Sequence, residues 1–388
     1  MTSPGYAIYV HIPICAHKCY YCDFHSRPVD PLQRLRYLQA LKAEIDHTPW
    51  RGSHATSLFL GGGTPSELTG DEIEELVNAL SSAFQFDDDA EWTIECNPGT
   101  LNPASCDRLA ELGFDRVSLG IQSFHDELLK KLGRIHNAAQ ARECYEWIRG
   151  AGFENVSFDL MFGIPGQTLR EWKTDLRRAL EMGPEHLSLY SLSVEPGTPF
   201  GHLRDLGALE DPSDDLVARM YEAAMDLTQA AGYHHYEISN YCLPGFECAH
   251  NLVYWNNLPY LGFGVSAASY VDGTRWTNTY DWDAYFEGAH RGQVPRVNEE
   301  KLRWNLALGE EIMLRLRTSA GISPARLSRK YRCDFEGLFR YSIDFLTRQD
   351  LLVREGDHLR LTRRGKLLAN EVCREFLQSA QALEGGSH

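Results

Sequence analysis

The chain has 388 residues, of which 43% are apolar and 24% charged, and its formal net charge is −16. This composition is typical of a globular protein, and it excludes disorder, collagen and coiled coil as overall descriptions. The length predicts two domains, one of them large. The sequence has no run of 18 apolar residues and no basic segment followed by a long apolar run at its start. We therefore expect neither a membrane span nor a secretory signal.

The charge is distributed unevenly along the chain. Residues 301–388 carry 16 Lys and Arg against 11 Asp and Glu, which leaves −21 on the first 300 residues. Because nucleic-acid binding requires a basic surface that neutralises phosphates, we expect no nucleic-acid partner for the large part. The basic C-terminal part, with Arg326, Arg329, Lys330, Arg363, Arg364 and Lys366, keeps nucleic-acid binding open as a third hypothesis.

Strand-like and helix-like patterns alternate in the first 232 residues. Apolar, β-branched and aromatic runs predict strands at 6–12, 57–60, 92–96, 116–121, 155–161 and 186–192. Helical patterns follow at 31–47, 71–84, 103–112, 138–151, 168–182 and 213–231. This alternation implies a parallel sheet with right-handed crossovers, and six units are too few for an eight-fold barrel. We predict an α/β fold, a partial (β/α)6 TIM-like barrel over residues 1–232, with its chemistry at the carboxyl ends of the strands.

The rest of the chain predicts two smaller parts. Residues 233–299 are irregular and rich in aromatic residues and glycine, and we expect strands and loops that close one side of the barrel. Residues 300–388 predict a small α+β domain similar to a winged helix, and the terminal Gly-Gly-Ser-His predicts a flexible tail. Its expected elements are helices at 302–316, 323–331, 335–349 and 363–380, with a hairpin of 351–354 and 358–361.

Three of the ten cysteines, Cys15, Cys19 and Cys22, lie within eight residues, in the loop after the first predicted strand. Without a secretory signal, such clustering indicates metal binding rather than disulfides. Three close thiolates can hold an iron–sulfur cluster and leave one iron without a protein ligand, as catalytic metal sites require. Two alternatives stay open, namely structural cysteines and a zinc site completed by His11, His17 or His25.

The CxxxCxxC spacing, with the aromatic Tyr21 directly before its last cysteine, resembles the radical S-adenosylmethionine (SAM) superfamily. The resemblance implies a [4Fe–4S] cluster whose open iron holds SAM, with Tyr21 beside the adenine. The run GGGTP at 61–65 is similar to a family motif that holds the methionyl amino group of SAM, which implies contacts from Gly62, Gly63 and Thr64. Further positions that match the SAM contacts of the family are Glu95, Gln122, Arg134 and Asp159. Taken singly, each of these polar residues reads as a cap or a surface residue, and the glycines as a tight turn.

The run YVHIPIC at 9–15 resembles the HemN/HemW group of this superfamily, which contains an oxygen-independent coproporphyrinogen III oxidase and a heme chaperone. By this resemblance Tyr9 also contacts SAM. Similarity extends through GIPGQT (163–168), EPGTP (195–199) and GFGVSAAS (262–269). Three features favour the chaperone branch: Phe24 stands where the oxidase has another cysteine, only fourteen residues precede Cys15, and residues 250–255 match HNxxYW.

The HNxxYW motif offers candidate heme contacts. Heme iron takes His, Cys, Met or Tyr as its axial ligand, so His250 and Cys248 are candidates for that role. Tyr254 and Trp255 offer flat apolar surfaces to a macrocycle. The alternative is that His250 satisfies loop backbone groups while Tyr254 and Trp255 pack.

The resemblance implies a heme chaperone that binds heme, a [4Fe–4S] cluster and SAM. It would pass heme to a membrane-associated acceptor such as a respiratory enzyme. The alternative is a radical SAM enzyme acting on a tetrapyrrole, either a coproporphyrinogen decarboxylase or a methyltransferase. Whether SAM is cleaved stays open, and no catalytic residue is assigned. We expect a cytoplasmic monomer or dimer that docks transiently at the inner membrane.

Overall fold

The computed structural model describes residues 5–382, so the tail predicted at the C-terminus lies outside the described residues. Six parallel strands form the centre of the fold and pair in chain order. They are β1 (Tyr6–Ile12), β2 (His54–Gly62), β3 (Gln85–Cys96), β4 (Arg116–Gln122), β5 (Asn155–Phe162) and β6 (His186–Ser191). Their apolar residues are almost fully buried, as expected for strands that are covered on both faces. All six predicted strands are confirmed, and with them the partial barrel.

Helices connect these strands and cover the outside of the barrel. They are α1 (Pro31–Asp46), α2 (Gly70–Ala83), α3 (Pro103–Glu111), α4 (Asp126–Leu132), α5 (Ala138–Gly150), α6 (Leu169–Met182), α7 (Pro199–Asp205) and α8 (Asp214–Ala230). Six of them match the predicted helices, whereas α4 and α7 are additional. Local sequence sets several boundaries: Thr69 and Glu72 form a capping box at the start of α2, and Gly183 ends α6 in the left-handed conformation.

The segment after α8 extends both edges of the sheet. Its elements are β7 (His234–Glu237), β8 (Asn240–Cys242), α9 (Ala249–Trp255), β9 (Tyr260–Phe263), β10 (Ala268–Val271), β11 (Thr274–Asn278), α10 (Trp282–His290) and β12 (Arg296–Lys301). Strand β8 pairs antiparallel with β6, and β7 pairs with β8. Strand β9 pairs parallel with β1 at the other edge, followed by β10, β11 and β12. The segment thus adds strands beside both β1 and β6, and α9 lies in the stretch of chain that runs from one edge to the other.

The C-terminal residues form a second apolar core within a small α+β unit. Its elements are α11 (Trp304–Leu316), α12 (Pro324–Tyr331), α13 (Phe335–Arg348), β13 (Leu352–Glu355), β14 (His358–Leu361), α14 (Arg363–Leu367) and α15 (Ala369–Ala382). The predicted helices and hairpin are confirmed, except that the last helix is interrupted at Leu368. The break follows Gly365, where an added Cβ would lie 2.0 Å from the carbonyl oxygen of Leu351.

Many basic groups of the C-terminal unit are engaged inside the chain. The buried Glu311 carboxylate pairs with Arg315 and Lys330 and lies 3.7 Å from Arg326. Arg363 pairs with Asp226 of α8 at 2.7 Å. These contacts engage Arg326, Lys330 and Arg363, three of the cations considered for nucleic-acid binding, and the Arg363 pair joins the unit to the barrel. Among residues 5–382, no helix combines the length and apolarity needed to cross a membrane.

Candidate functional site

The carboxyl ends of the barrel strands surround a cavity of about 360 Å³, which we call the cluster cavity. The three clustered cysteines line it. Eight of the predicted SAM residues line it too, namely Tyr21, Gly62, Gly63, Thr64, Glu95, Gln122, Arg134 and Asp159. The fold thus brings together residues from β1 through β5 at the edge where α/β barrels carry their chemistry.

The cysteine loop is held by its own backbone. The N–H of Cys15 donates to the carbonyl of Arg27 at 3.3 Å, and that of Cys22 donates to the carbonyl of Cys19 at 3.2 Å. Cys15 is buried, whereas Cys19 and Cys22 are half-buried. Two side chains donate to the sulfurs: Thr64 Oγ1 to Cys15 at 3.5 Å and Arg134 Nη1 to Cys19 at 3.4 Å. Such donors stabilise thiolates, the form in which cysteine binds metal.

The spacing of the thiols bears on the kind of metal. Within the described part of the chain, no three or more His, Cys, Asp and Glu side chains stand close enough to hold a single ion. A structural zinc ion needs four ligands converging on one point. In an iron–sulfur cluster each cysteine binds a different iron. The thiols therefore surround the cluster instead of converging on one metal ion. The three thiols line one shared cavity, as a cluster requires, and the described residues present no converging set of ligands for a single zinc ion.

The glycine run 61–63 packs directly against the cysteine loop. The N–H of Gly63 donates to the carbonyl of Ile12 at 2.7 Å, and that of Thr64 donates to the carbonyl of Ile14 at 2.8 Å. A Cβ at Gly63 would lie 2.6 Å from the Ile14 oxygen. Glycine is therefore required here because the two backbones approach too closely for a side chain.

Substituting Gly63 with alanine should displace the cysteine loop and reduce iron incorporation. We expect the overpacking to lower the free energy of unfolding by about 1–3 kcal/mol. Iron content after anaerobic reconstitution and urea denaturation measure the two effects. Gly150→Ala is the matched control, because a Cβ there meets nothing within 4 Å. Equal iron loading in the two variants would contradict the prediction.

Two carboxylates, Glu95 and Asp159, line the cavity on the strands that follow the glycine run. Glu95 Oε2 accepts from the N–H of Gly62 at 3.0 Å, and Ser118 Oγ donates to Asp159 Oδ1 at 3.0 Å. Burial, reinforced by the neighbouring Asp159, raises the pKa of Glu95 to about 7. Burial also raises the pKa of Asp159. Such a wall suits a ligand that brings positive charge and hydroxyl groups.

Arg134 lines the same cavity and contacts Cys19. Its Nη2 donates to the carbonyl of Gly120 at 2.7 Å, but its buried Nε has no hydrogen-bond partner among the described residues. Buried guanidinium groups ordinarily have all their donors paired. The orphaned Nε and the adjacent thiol contact fit a ligand that carries a carboxylate, as the methionine part of SAM does. Gln122 ends β4 in the left-handed conformation, with φ of 66°.

Tyr9 is the one predicted SAM residue that does not line the cluster cavity. Its hydroxyl is 3.0 Å from His11 Nδ1, and its ring packs near those of Phe59 and His250. Tyr9 lies in the middle of β1, three residues before the strand ends, and so remains short of the cavity. It lines a second, neighbouring cavity instead.

The structure buries the two candidate heme ligands near the HNxxYW motif. His250 is 1% exposed, and its Nδ1 and Nε2 are each 2.8 Å from a hydroxyl, of Ser57 and Tyr254 respectively. Burial lowers the pKa of His250 to about 3. Cys248 is fully buried, and its Sγ donates to Glu91 at 3.4 Å. In this arrangement neither side chain offers a free ligand atom, whereas Tyr254 and Trp255 are half-buried.

Helix α9, which carries this motif, is fixed by a charge at each end. The Glu91 carboxylate accepts from the N–H groups of Ala249 and His250, both at 3.3 Å. At the other end, Arg315 of α11 donates to the carbonyl and side-chain oxygens of Asn256, both at 3.0 Å. An anion at the N-terminus and a cation at the C-terminus both stabilise a helix. The C-terminal unit thus contacts the motif directly.

Sequence reasoning missed several residues of the cluster cavity, including Ser118, Tyr190 and Glu195. Glu195 lies in the EPGTP run, which signalled family membership but received no role. Ser118 is a polar residue between the apolar Val117 and Leu119 of β4, and this is the signal that could have found it. Its partner Asp159 lies on the neighbouring strand β5, and that proximity follows only from the pairing.

Comparison with known proteins shows which families the chain resembles. The signature of the radical SAM superfamily matches residues 9–179, and that of the HemN C-terminal domain matches residues 307–368. Coproporphyrinogen III oxidase (HemN) from Escherichia coli, a radical SAM enzyme, superposes with a TM-score of 0.84 at 24% identity. The superposition covers 96% of this chain and 90% of that one, and it shows a common fold. Fold, signature and cysteine cavity together define a radical SAM protein.

Relatives over almost the full length narrow this class. The heme chaperone HemW of Lactococcus lactis is 37% identical over 382 residues, covering 97% of this chain and 98% of the relative. HemW of Bacillus subtilis is 38% identical, covering 95% and 98%. HemW of Escherichia coli is 34% identical, covering 96% and 98%. The chain belongs to the HemW family.

Proposed function

We propose that the chain is a heme chaperone that holds a [4Fe–4S] cluster through Cys15, Cys19 and Cys22 and binds SAM beside it. The observation that carries the proposal is the cluster cavity, which gathers the three thiols and eight of the predicted SAM residues in one place. The heme-chaperone part is supported by the full-length similarity to HemW proteins. When bound, the cluster supplies one-electron chemistry toward SAM.

Different residues of the cluster cavity would bind different parts of SAM. The free Nε of Arg134 is placed to donate to the carboxylate of the methionine part. Glu95 and Asp159 offer negative charge to its cationic groups and acceptors to its hydroxyls. The half-buried Tyr21 ring supplies a flat surface to the adenine. Gly63 keeps the cysteine loop against the strand ends, and so sets where the thiols lie relative to these groups.

The acceptor of the heme is proposed to be a membrane-associated respiratory enzyme, which the chain reaches from the cytoplasm by transient docking at the inner membrane. The test is transfer from hemin-loaded, cluster-reconstituted protein to membrane vesicles that contain a heme-depleted respiratory enzyme. We expect the heme absorption to move into the vesicles and enzyme activity to return. Hemin that stays with the chain, or transfers equally from serum albumin, would overturn the proposal.

An enzyme acting on a tetrapyrrole is the second candidate, because the SAM residues are present and the fold is that of HemN. Phe24 argues against it, since the oxidase pattern has a cysteine at that position. Anaerobic incubation with coproporphyrinogen III, SAM and a reductant separates the two. A product lighter by two carboxyl groups would establish the enzyme, whereas an unchanged substrate with an intact cluster supports the chaperone.

Affinity for SAM should rise with pH through the titration of Glu95. With a pKa of about 7, Glu95 is mostly protonated at pH 6 and mostly ionised at pH 8. Because the ionised form attracts the sulfonium charge, we expect about tenfold tighter binding at pH 8 than at pH 6. Calorimetric titration of SAM at both values measures it. Glu95→Gln keeps an acceptor for the Gly62 N–H and should flatten the profile; an equal slope in this variant would refute the assignment.

A further inference from the structure

A second cavity of about 1030 Å³ lies beside the cluster cavity and opens to solvent, and we call it the groove. One wall is the cysteine loop from residue 18 to residue 27, another is the first half of α1, and the third comes from residues 254–286. Aromatic rings line it, namely Phe24, Tyr254, Tyr260, Tyr280, Trp282 and Phe286. Phe24 is 60% exposed and Tyr280 49% exposed. Trp282 and Phe286 are buried and form the floor of the groove, whereas Phe24 and Tyr280 present uncovered rings. A large open site with such rings suits a flat apolar ligand.

Cations lie over the rings of the groove. The guanidinium of Arg27 lies 4.1 Å from the centre of the Trp282 ring, and that of Arg36 lies 4.7 Å from the Phe286 ring. Arg27 has no ion-pair partner in residues 5–382, and Arg36 has only a long, exposed contact of 3.8 Å with Asp283. Exposed pairs of this kind contribute little. Both guanidinium groups are therefore available to carboxylates of a ligand, in a chain whose net charge is −16.

The groove also has acidic groups, but their roles are local. Asp281 caps α10 by accepting from the N–H of Ala284 at 2.9 Å, and Asp283 faces Arg36. Asp23 is exposed on the rim. The side chain of Lys18 donates to the carbonyl of Phe24 at 2.8 Å and so stiffens the wall. The two stacked arginines thus remain the cations over the aromatic surface.

Two histidines line the groove, and they differ in what their ring nitrogens bind. Nδ1 of His11 is 3.0 Å from the Tyr9 hydroxyl, and its Nε2 is 3.0 Å from the carbonyl of His25. Nε2 of His25 is buried and has no hydrogen-bond partner among the described residues. Burial, with Lys18 and Arg27 nearby, lowers the pKa of His25 and keeps its imidazole neutral. A neutral imidazole with a free nitrogen is the form that binds a metal.

We propose that the groove binds heme, with His25 as the axial ligand of the iron and Arg27 and Arg36 facing the propionate carboxylates. The inference rests on the proposed function, because it locates the cargo of the chaperone. The exposed Phe24 ring covers one face of the macrocycle. The half-exposed Tyr280 ring, which packs edge-on against His25 at 5.6 Å, turns aside when heme enters.

The position of the groove gives the cysteine loop two roles. Lys18, Asp23 and Phe24 line both the groove and the cluster cavity. Tyr254 connects the groove to the HNxxYW motif, because it lines the groove while its hydroxyl contacts the buried His250. The motif thus supports the back of the heme site, and its histidine is a positioning residue rather than the ligand.

Hemin titration of the full chain, followed by its Soret band, tests the site. We expect His25→Ala to weaken hemin binding roughly tenfold or more and to shift the band, with added imidazole restoring its position. His54→Ala is the control, because His54 is exposed and lines neither cavity. Iron content and circular dichroism verify that His25→Ala keeps its cluster and fold.

The arginines are tested with a second probe. Arg27→Gln combined with Arg36→Gln should weaken hemin binding roughly tenfold and leave binding of hemin dimethyl ester unchanged, since the ester has no carboxylates. If His25→Ala binds hemin like the wild type while His250→Ala does not, the assignment of the groove falls and the chaperone proposal stands. If the wild-type chain itself binds no hemin, both fall.

Discussion

Replacing Cys15, Cys19 and Cys22 together with alanine is expected to abolish iron–sulfur assembly while the chain remains folded. The loop keeps its shape in this variant because its contacts are made by backbone groups, such as the Cys15 N–H to the Arg27 carbonyl. Cys19 and Cys22 are only half-buried, so their removal leaves little empty volume. Iron and sulfide content after anaerobic reconstitution should fall to background. Circular dichroism and the thermal midpoint should stay close to those of the wild type.

The matched control is Cys333→Ala, which removes a half-buried cysteine of the C-terminal unit. It should assemble the same amount of cluster as the wild type. We also expect the triple variant to bind hemin but to fail in delivery, because the loop that holds the cluster forms a wall of the groove. Full delivery by a cluster-free variant would show that the cluster has no part in transfer.

Glu91→Ala should cause the largest loss of stability among single changes near the HNxxYW motif. The buried Arg116 lies 4.0 Å from Glu91 and would lose that counter-charge, and α9 would lose the acceptor at its N-terminus. Breaking a buried ion pair from one side costs about 3–5 kcal/mol, because it leaves a charge uncompensated. Urea denaturation measures this loss, and hydrogen exchange of residues 249–255 measures the loosening of α9.

A second substitution separates the two causes. Glu91→Ala combined with Arg116→Met removes the stranded charge and should recover most of the lost stability. The faster exchange of α9 should remain, since its N-terminus stays uncapped. Asp89→Ala, on the exposed part of the same strand, serves as the control and should change neither quantity. Equal stability of the single and double variants would show that the pairing with Arg116 contributes nothing.

The sequence predicted the barrel well because its signals are local. Each strand from β1 to β6 contains a short apolar run that ends near a glycine or a polar residue, although β3 begins seven residues before its run, in the acidic segment 85–91. Most helices begin at a recognisable cap. The short helices α4 and α7 were missed, because seven residues provide less than two full periods of a helical pattern. They are held by tertiary contacts, such as the Phe200 N–H to the Tyr20 carbonyl.

The segment after residue 232 was harder to predict for a different reason. Which edge a strand joins depends on contacts between residues far apart in the chain, and no local pattern records it. The same holds for α9. The HNxxYW motif suggests exposed ligands. In the structure His250, in the N-terminal half of the helix, is buried, because it bonds to the Ser57 hydroxyl and the Glu91 carboxylate, both more than 150 positions away in the chain.

In the candidate site, too, features with a local sequence signal could be predicted and features that depend on distant contacts could not. The three cysteines and eight of the nine residues expected to contact SAM line one cavity, and the sequence could indicate them because each lies in a short motif. The groove was not found, because its rings and cations come from three separate segments and no two of them form a motif. His25 was considered only as a possible zinc ligand. Its free ring nitrogen becomes visible once the partners of the neighbouring His11 are known.

A wall that borders two cavities offers a route by which their ligands can influence each other, and any such coupling is reciprocal. If SAM on the cluster side of Phe24 changes the affinity of the groove for heme by some factor, heme must change the affinity for SAM by the same factor. Binding of one ligand then changes the affinity for the other without any contact between the two ligands. The loop from Lys18 to Phe24 is then the part of the chain through which the two affinities are linked, since its residues line both cavities.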